Sequence, residues 1–162
     1  MQLAVKNIFY YRLALGYVIA PTEICDTVKK VHDFLTVGAA APLQEAAVVG
    51  LNFGDDYYKW LSDKYTKKKN LFLKGLDDLK IKHTIPQGAY YVLLDISEFN
   101  YDSDVKFCED LAEKVGVGAV PGSSFFKENV NNLIRLHFAK KDETLNEALN
   151  RLEGFRTKIT AH

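Results

Sequence analysis

The segment Leu133-Ile-Arg-Leu-His-Phe-Ala139 carries the clearest strand pattern in this chain. Its apolar residues alternate, which predicts a β-strand whose side chains point in turn to two faces of a sheet. One face is wholly apolar and predicts burial in a core, whereas the other carries Arg135 and His137. We therefore expect a half-buried strand with a polar face that looks into a cleft.

Arg135 is the candidate binding residue of this strand. A guanidinium group in the middle of an apolar run is costly unless something anionic meets it. Because a guanidinium can hold a carboxylate through two parallel hydrogen bonds, Arg135 is a candidate carboxylate clamp. Two alternatives stay open from the residues alone: an arginine on an exposed edge strand, or one paired with an internal Asp or Glu. His137 shares this face, and we expect it to be a surface or core histidine.

Two further stretches upstream carry glycine-marked turns. The first, Pro86-Gln-Gly-Ala-Tyr-Tyr91, leads into a predicted strand over Ala89–Ile96. Gly88 would allow a turn that a Cβ would obstruct, and Tyr90 and Tyr91 would point to opposite faces. The second, Gly116-Val-Gly-Ala-Val-Pro-Gly-Ser-Ser-Phe-Phe126, predicts a short strand over Val117–Val120 followed by a Pro-Gly turn.

Periodicity predicts the other elements and the fold class. A buried strand is expected over Leu15–Ala20, and an extended piece over Ile81–Ile85. Helices are predicted from the following starts: Thr22, Pro42, Asp55 or Asp56, Asp102 or Ser103, and Asp142. Helices packed on one face of a small, mostly antiparallel sheet make an α/β two-layer sandwich, of the α+β type.

Composition excludes several classes of function. The chain has 162 residues, 21 Lys plus Arg against 21 Asp plus Glu, and 48% hydrophobic residues. A neutral balance gives no electrostatic reason to bind nucleic acid, so the basic residues Lys64 and Lys67–Lys69 read as a solvated helix face. The apolar run in residues 1–20 is too short for a membrane span and contains Arg12. We expect a cytoplasmic chain with no nucleic-acid or membrane partner.

In this order and spacing, the three stretches resemble the C-terminal small domain of class I/II aminotransferases, fold type I enzymes of the aspartate and aromatic aminotransferase kind that use pyridoxal phosphate. A further stretch, Leu15–Ala46, is similar to the family segment that follows the cofactor-binding lysine. The resemblance covers roughly residues 13–156, and it implies the small-domain fold for residues 15–162.

The resemblance also implies roles for particular residues. Arg135 matches the arginine that holds the α-carboxylate of an amino acid or 2-oxo acid, and Tyr90 is a candidate substrate contact. The loop near Phe34 to Ala41 would approach the active site across a homodimer interface, where its apolar content suits a neutral or aromatic substrate side chain.

The N-terminal part departs from the family pattern. Lys6 falls, by spacing alone, where the family has its Schiff-base lysine, but the surrounding serine, glycine and phosphate-pairing positions differ. Residues 1–14 are either a remnant of a large-domain segment or an unrelated extension. The two hundred or so residues that build the family's cofactor domain have no counterpart here, so we expect a truncated chain that neither binds pyridoxal phosphate tightly nor transaminates alone. A separate large-domain chain would then be a partner. The alternative is a carboxylate-binding or dimerising module that keeps only the small-domain fold.

Overall fold

A computed structural model of the protein describes residues 2–3 and 15–160. Their helices and strands follow in chain order as β1 (Gln2–Leu3), β2 (Val18–Ile19), α1 (Thr22–Thr36), α2 (Ala41–Leu51), α3 (Asp55–Asp78), β3 (Tyr91–Asp95), α4 (Asp104–Asp110), β4 (Val120–Pro121), β5 (Leu133–His137), α5 (Asp142–Leu152) and α6 (Phe155–Thr160). The chain divides into two compact units, residues 1–61 and 62–162, and the division falls inside α3.

The first unit contains a short antiparallel pair and two helices. Strand β1 pairs with β2, with Leu3 opposite Val18. Helix α1 has Glu23 in its first turn, where the helix dipole favours an acidic side chain. Helix α2 has Pro42 near its start, where the missing N–H costs nothing.

Among residues 15–61 of the first unit, most large apolar side chains are exposed. The predicted strand over Leu15–Ala20 is confirmed only over Val18–Ile19, and the prediction that it is buried is wrong, since these two residues are 42% and 59% exposed. A β-branched run favours an extended backbone, but it does not determine whether another surface covers its side chains. The side chain of Phe34, in the last turn of α1, is 93% exposed.

The second unit is built on a three-stranded antiparallel sheet in the order β3-β5-β4. Tyr91 lies opposite His137, and Arg135 lies between Leu93 of β3 and Val120 of β4. An isolated bridge from His83 to Leu94 extends the pairing beyond β3. The strand that carries Arg135 is therefore the central one.

One face of the sheet joins the core with four helices. The buried side chains include Val92 and Leu94 of β3, and Ile134 and Leu136 of β5. The helices contribute Phe72 and Leu76 of α3, Phe107 of α4, Leu145 and Leu152 of α5, and Phe155 and Ile159 of α6. The alternation of buried and less buried residues along β3 and β5 is the half-buried pattern that the sequence predicts. The second unit thus has the α/β two-layer architecture, with helices on one face of a small antiparallel sheet.

Most predicted elements are confirmed, with shifts at their ends. Ser103 caps α4, and its hydroxyl accepts a hydrogen bond from the backbone N–H of Lys106. Helix α4 continues through a π-helical turn to Val115 and ends at Gly116, whose φ of 77° suits glycine. The strand predicted over Val117–Val120 lies instead at Val120–Pro121, since pairing with β5 selects those residues. Helix α6 was not predicted, because six residues are too few to show a helical period.

The described residues contain neither a membrane-spanning helix nor a cluster of metal ligands. No helix among residues 15–160 is both long enough and apolar enough to cross a membrane. Nor does that part of the chain bring three His, Cys, Asp or Glu side chains together as metal ligands. The predicted domain boundary between residues 14 and 15 lies at the edge of the described residues and stays a prediction.

Candidate functional site

The open face of the sheet presents Arg135 from the middle of β5. Its neighbours on the same strand, Ile134 and Leu136, are buried on the helix-covered face, so alternation sends Arg135 to the other face. The predicted division of this strand into an apolar and a polar face is confirmed. Because β5 is the central strand, both flanking strands hold the backbone of Arg135 in place.

The guanidinium of Arg135 lies between two aromatic rings. Its Cζ is 3.7 Å from the ring centroid of Phe125 and 4.1 Å from that of Tyr91. A guanidinium is planar and weakly hydrated, so it stacks well on aromatic faces and gains cation–π energy there. Two rings restrict how the plane of the group can turn, and they shield it from water.

Arg135 also has an unsatisfied donor. Its Nε is buried, and it makes no hydrogen bond to any described residue. Among the described residues, no Asp or Glu forms an ion pair with Arg135, so the alternative of an internal carboxylate partner finds no support there. A buried donor without an acceptor is unfavourable, and a positive charge between two rings gains from an anion.

A row of aromatic side chains continues from this site. The Tyr91 hydroxyl donates to the hydroxyl of Tyr90 across 3.3 Å, and the Tyr90 ring stacks on Tyr65 with centroids 6.0 Å apart. Tyr90 packs against the core, and it is Tyr91 whose ring contacts Arg135. The substrate contact proposed for Tyr90 stays a prediction.

His137 lies two residues beyond Arg135, on the same face. Its ring is 6.5 Å from that of Tyr90. His137 is exposed at the end of β5, and its pKa is lowered by partial loss of hydration of its ring and by the positive charges of Lys140 and Arg135. The neutral imidazole is therefore favoured, and Arg135 carries the positive charge of this face.

The turn that follows β4 carries Phe125. Residues Gly122–Phe125 form a 3₁₀ turn, and Phe125 is 47% exposed. Gly122 lies so close to β5 that an added Cβ would be 2.5 Å from the carbonyl oxygen of Leu133. Sequence analysis did not assign Phe125 a role, although the Pro-Gly turn ending in Phe125 was the available signal. Lys6, the candidate Schiff-base lysine, lies outside the described residues.

Comparisons with known proteins agree with this architecture. The family model described as "Aminotransferase class I and II" matches residues 5–152. A methionine aminotransferase from Escherichia coli is 35% identical over 139 residues, which are 85% of this chain and 36% of that protein. An aspartate aminotransferase from Thermotoga maritima is 33% identical over 141 residues, which are 87% of this chain and 35% of that protein.

Solved structures show the same relationship in three dimensions. The chain superimposes on N-succinyldiaminopimelate aminotransferase from Mycobacterium tuberculosis with a TM-score of 0.78 and 30% identity, covering 88% of this chain and 38% of that one. It therefore spans little more than a third of the length of the relatives it matches. Since the family model covers nearly all of the sequence, the chain belongs to the class I and II aminotransferase family.

Proposed function

We propose that this chain provides the carboxylate-binding part of an aminotransferase active site, with Arg135 as the residue that holds the α-carboxylate of an amino acid or 2-oxo acid. The observation that carries the proposal is the guanidinium of Arg135, held between the rings of Phe125 and Tyr91 on the central strand. Its unsatisfied Nε shows that the described residues leave its hydrogen-bonding capacity partly unused.

The physical role of the two rings is to orient the guanidinium. Stacking fixes the plane of the group, and therefore the plane in which a carboxylate can accept two parallel hydrogen bonds. An arginine restrained before binding loses less side-chain entropy when the ligand arrives, which favours binding. In an aminotransferase reaction, a fixed carboxylate would place the Cα–H bond of the substrate against the reacting groups.

Amino-group transfer needs a cofactor, and family members use pyridoxal phosphate as the electron sink. The described rings beside Arg135 orient its guanidinium, but they offer neither an amine for a Schiff base nor an anchor for a phosphate. Lys6 is the candidate amine, and its place is not described. We assign no cofactor contact to residues 15–160, and we propose that the chain alone neither binds pyridoxal phosphate tightly nor transaminates.

A binding measurement tests the role of Arg135. We expect L-methionine to bind the chain weakly, and its methyl ester, which lacks the carboxylate, not to bind. Arg135→Ala should remove about 2 kcal/mol or more, roughly a 30-fold loss of affinity, because a charge-assisted pair is lost. Arg151→Lys is the matched control, since Arg151 is an exposed arginine that pairs with Glu147. Equal binding of the ester, or unchanged affinity in Arg135→Ala, would contradict the proposal.

A second candidate function, a dimerising interaction module, is favoured by the exposed apolar side of α1. Ile24, Val28, Val31 and Leu35 recur at helical spacing, and they are 42% to 75% exposed. For this function we expect a second copy of the chain as partner. Sedimentation velocity over a range of concentrations tests it: a mass that doubles with concentration, and returns to that of the monomer in Val31→Glu, supports it. A monomer at all concentrations excludes it.

A further inference from the structure

We infer that Asp104 is a positioning residue for the carboxylate site, because it fixes the turn that carries Phe125 over Arg135. This inference rests on the proposed function of Arg135. It concerns a residue on a different element, at the start of α4, whose side chain touches neither Arg135 nor Phe125 in any described contact.

Asp104 is a buried carboxylate with only one described partner residue. Its side chain is 2% exposed, which would be costly for an acidic group without compensating donors. Both oxygens find donors in Ser123. The backbone N–H of Ser123 donates to Oδ2 at 2.7 Å, and the hydroxyl of Ser123 donates to Oδ1 at 3.0 Å. Two such bonds to one residue fix the backbone as well as the side chain.

Ser123 lies in the middle of the 3₁₀ turn, two residues before Phe125. Phe125 itself is about half exposed, so packing into the core does not hold its ring in place. Two described contacts hold the turn, and both lie just before Phe125 in the chain: Asp104 binds Ser123, and Gly122 lies close to the backbone of Leu133. The position of the ring over the guanidinium, 3.7 Å from Cζ, therefore depends on these two contacts.

The consequence for binding is indirect but measurable. If the turn is released, the Phe125 ring no longer confines the guanidinium from one side, and Arg135 must be ordered by the ligand instead. Affinity for a carboxylate should fall, while the fold, whose core lies on the other side of the sheet, should persist.

A double-mutant cycle tests this coupling in the full chain. Asp104→Asn replaces the carboxylate by a neutral amide with one oxygen acceptor, so the two bonds to Ser123 are no longer charge-assisted, and we expect about a fivefold loss of affinity for L-methionine. Phe125→Leu should give a similar loss. The double variant should lose no more than Phe125→Leu alone, because Asp104 acts through the ring. An equal further loss in the Phe125→Leu background would overturn the inference.

Two serines of the same turn supply a milder variant than Asp104→Asn and a control for it. Ser123→Ala removes one of the two bonds and should give a smaller loss than Asp104→Asn, so it also serves if Asp104→Asn does not fold. Ser124→Ala changes the exposed neighbour, for which no bond to Asp104 is seen, and should bind like the wild type. A loss in Ser124→Ala equal to that in Ser123→Ala would contradict the assignment.

A ligand-free readout separates this inference from the proposed function. In the wild type, nuclear Overhauser effects should connect the Phe125 ring to the Arg135 side chain, and ring currents should shift the Arg135 Nε–H proton. Asp104→Asn should weaken the Phe125 contacts and leave those of Tyr91. If the wild type binds no carboxylate but this change occurs, the proposed function fails and the positioning by Asp104 stands. If the Phe125 contacts are unchanged in a folded Asp104→Asn protein, the positioning inference fails.

Discussion

The ring of Phe125 lies over the guanidinium of Arg135, with its centroid 3.7 Å from Cζ. The two residues come from different parts of the second unit: Phe125 lies in the turn after β4, and Arg135 lies at the centre of β5. Tyr91 of β3 closes the other side at 4.1 Å. Strands β3 and β5 and the turn after β4 thus contribute to the surroundings of one charged group, which makes the orientation of that group a property of the fold.

The role of the Tyr91 ring can be separated from that of the Tyr91 hydroxyl by two substitutions. Tyr91→Leu removes the ring from Arg135, and we expect a loss of about 1 kcal/mol in carboxylate affinity, roughly fivefold, from the cation–π contact and lost restraint. Tyr91→Phe keeps the ring and removes the hydroxyl that donates to Tyr90, so its affinity should stay close to that of the wild type. Isothermal titration of both variants with L-methionine checks the prediction, and equal losses in the two would contradict it.

Gly122 should tolerate no side chain. A Cβ there would lie 2.5 Å from the carbonyl oxygen of Leu133, and backbone cannot move aside as a flexible side chain can. We expect Gly122→Ala to lower the free energy of unfolding by about 1–3 kcal/mol, as overpacking does. Urea denaturation measures this. Gly118→Ala is the control, because nothing lies within 4 Å of its added Cβ, and a cost as large as that of Gly122→Ala would refute the steric explanation.

The lowered pKa of His137 predicts that the free energy of unfolding depends on pH. Since its pKa is lowered in the folded chain, the unfolded chain takes up a proton first as pH falls below 6.5. Stability should therefore fall as pH drops from 6.5 towards the lowered pKa, and His137→Gln should flatten this slope.

Because a carboxylate on Arg135 would offset the nearby positive charge, L-methionine should raise the pKa of His137 in an NMR titration. A pKa that is unmoved at saturating ligand would contradict the proposed place of binding.

The lowered pKa of Asp110 predicts a second change in the free energy of unfolding, at more acidic pH. Hydrogen bonds from Lys106, then Tyr101 and Lys114, hold the pKa of Asp110 well below its usual range. Burial, followed by the bond to Asp110, raises the pKa of Tyr101 to about 12. A lowered carboxyl pKa contributes stability that is present above about 3.9 and is lost as pH falls further. Urea denaturation between pH 6 and pH 2.5 should show this loss, and Asp110→Asn should reduce it.

The control for Asp110 is its exposed neighbour. Glu109 is paired only loosely, at 3.9 Å from the Nζ of Lys106, and its side chain is 64% exposed. Glu109→Gln should leave the acid slope nearly unchanged. If Asp110→Asn and Glu109→Gln have the same effect, the buried hydrogen bonds do not explain the slope.

The strands and helices of the second unit could be predicted because their apolar faces are buried against one another within that unit. Alternation along Leu133–His137 and Tyr91–Asp95 predicts the buried faces, and both are confirmed. The same reasoning failed for Leu15–Ala20, whose apolar side chains the described residues leave exposed. Periodicity shows that a surface is apolar, but not which surface covers it.

The charged residue of the site, Arg135, could be predicted from the sequence, but the residues that surround it could not. Arg135 stands out as a cation within an apolar strand, so one sequence segment suffices to find it. The Phe125 and Tyr91 rings meet Arg135 only after three strands pair in the order β3-β5-β4, and the Asp104–Ser123 contact joins residues 19 positions apart. Such contacts depend on register and turn geometry, which no local pattern encodes.

The most direct test of the central claim is to observe Arg135 itself during ligand addition. In ¹H–¹⁵N spectra tuned to arginine Nε–H groups, we predict that L-methionine shifts the Arg135 signal saturably and slows its exchange with water, that the methyl ester does neither, and that the Arg151 and Arg156 signals stay in place. An Arg135 signal that is indifferent to L-methionine, or that responds equally to the ester, would contradict the assignment of Arg135 as the carboxylate-binding residue.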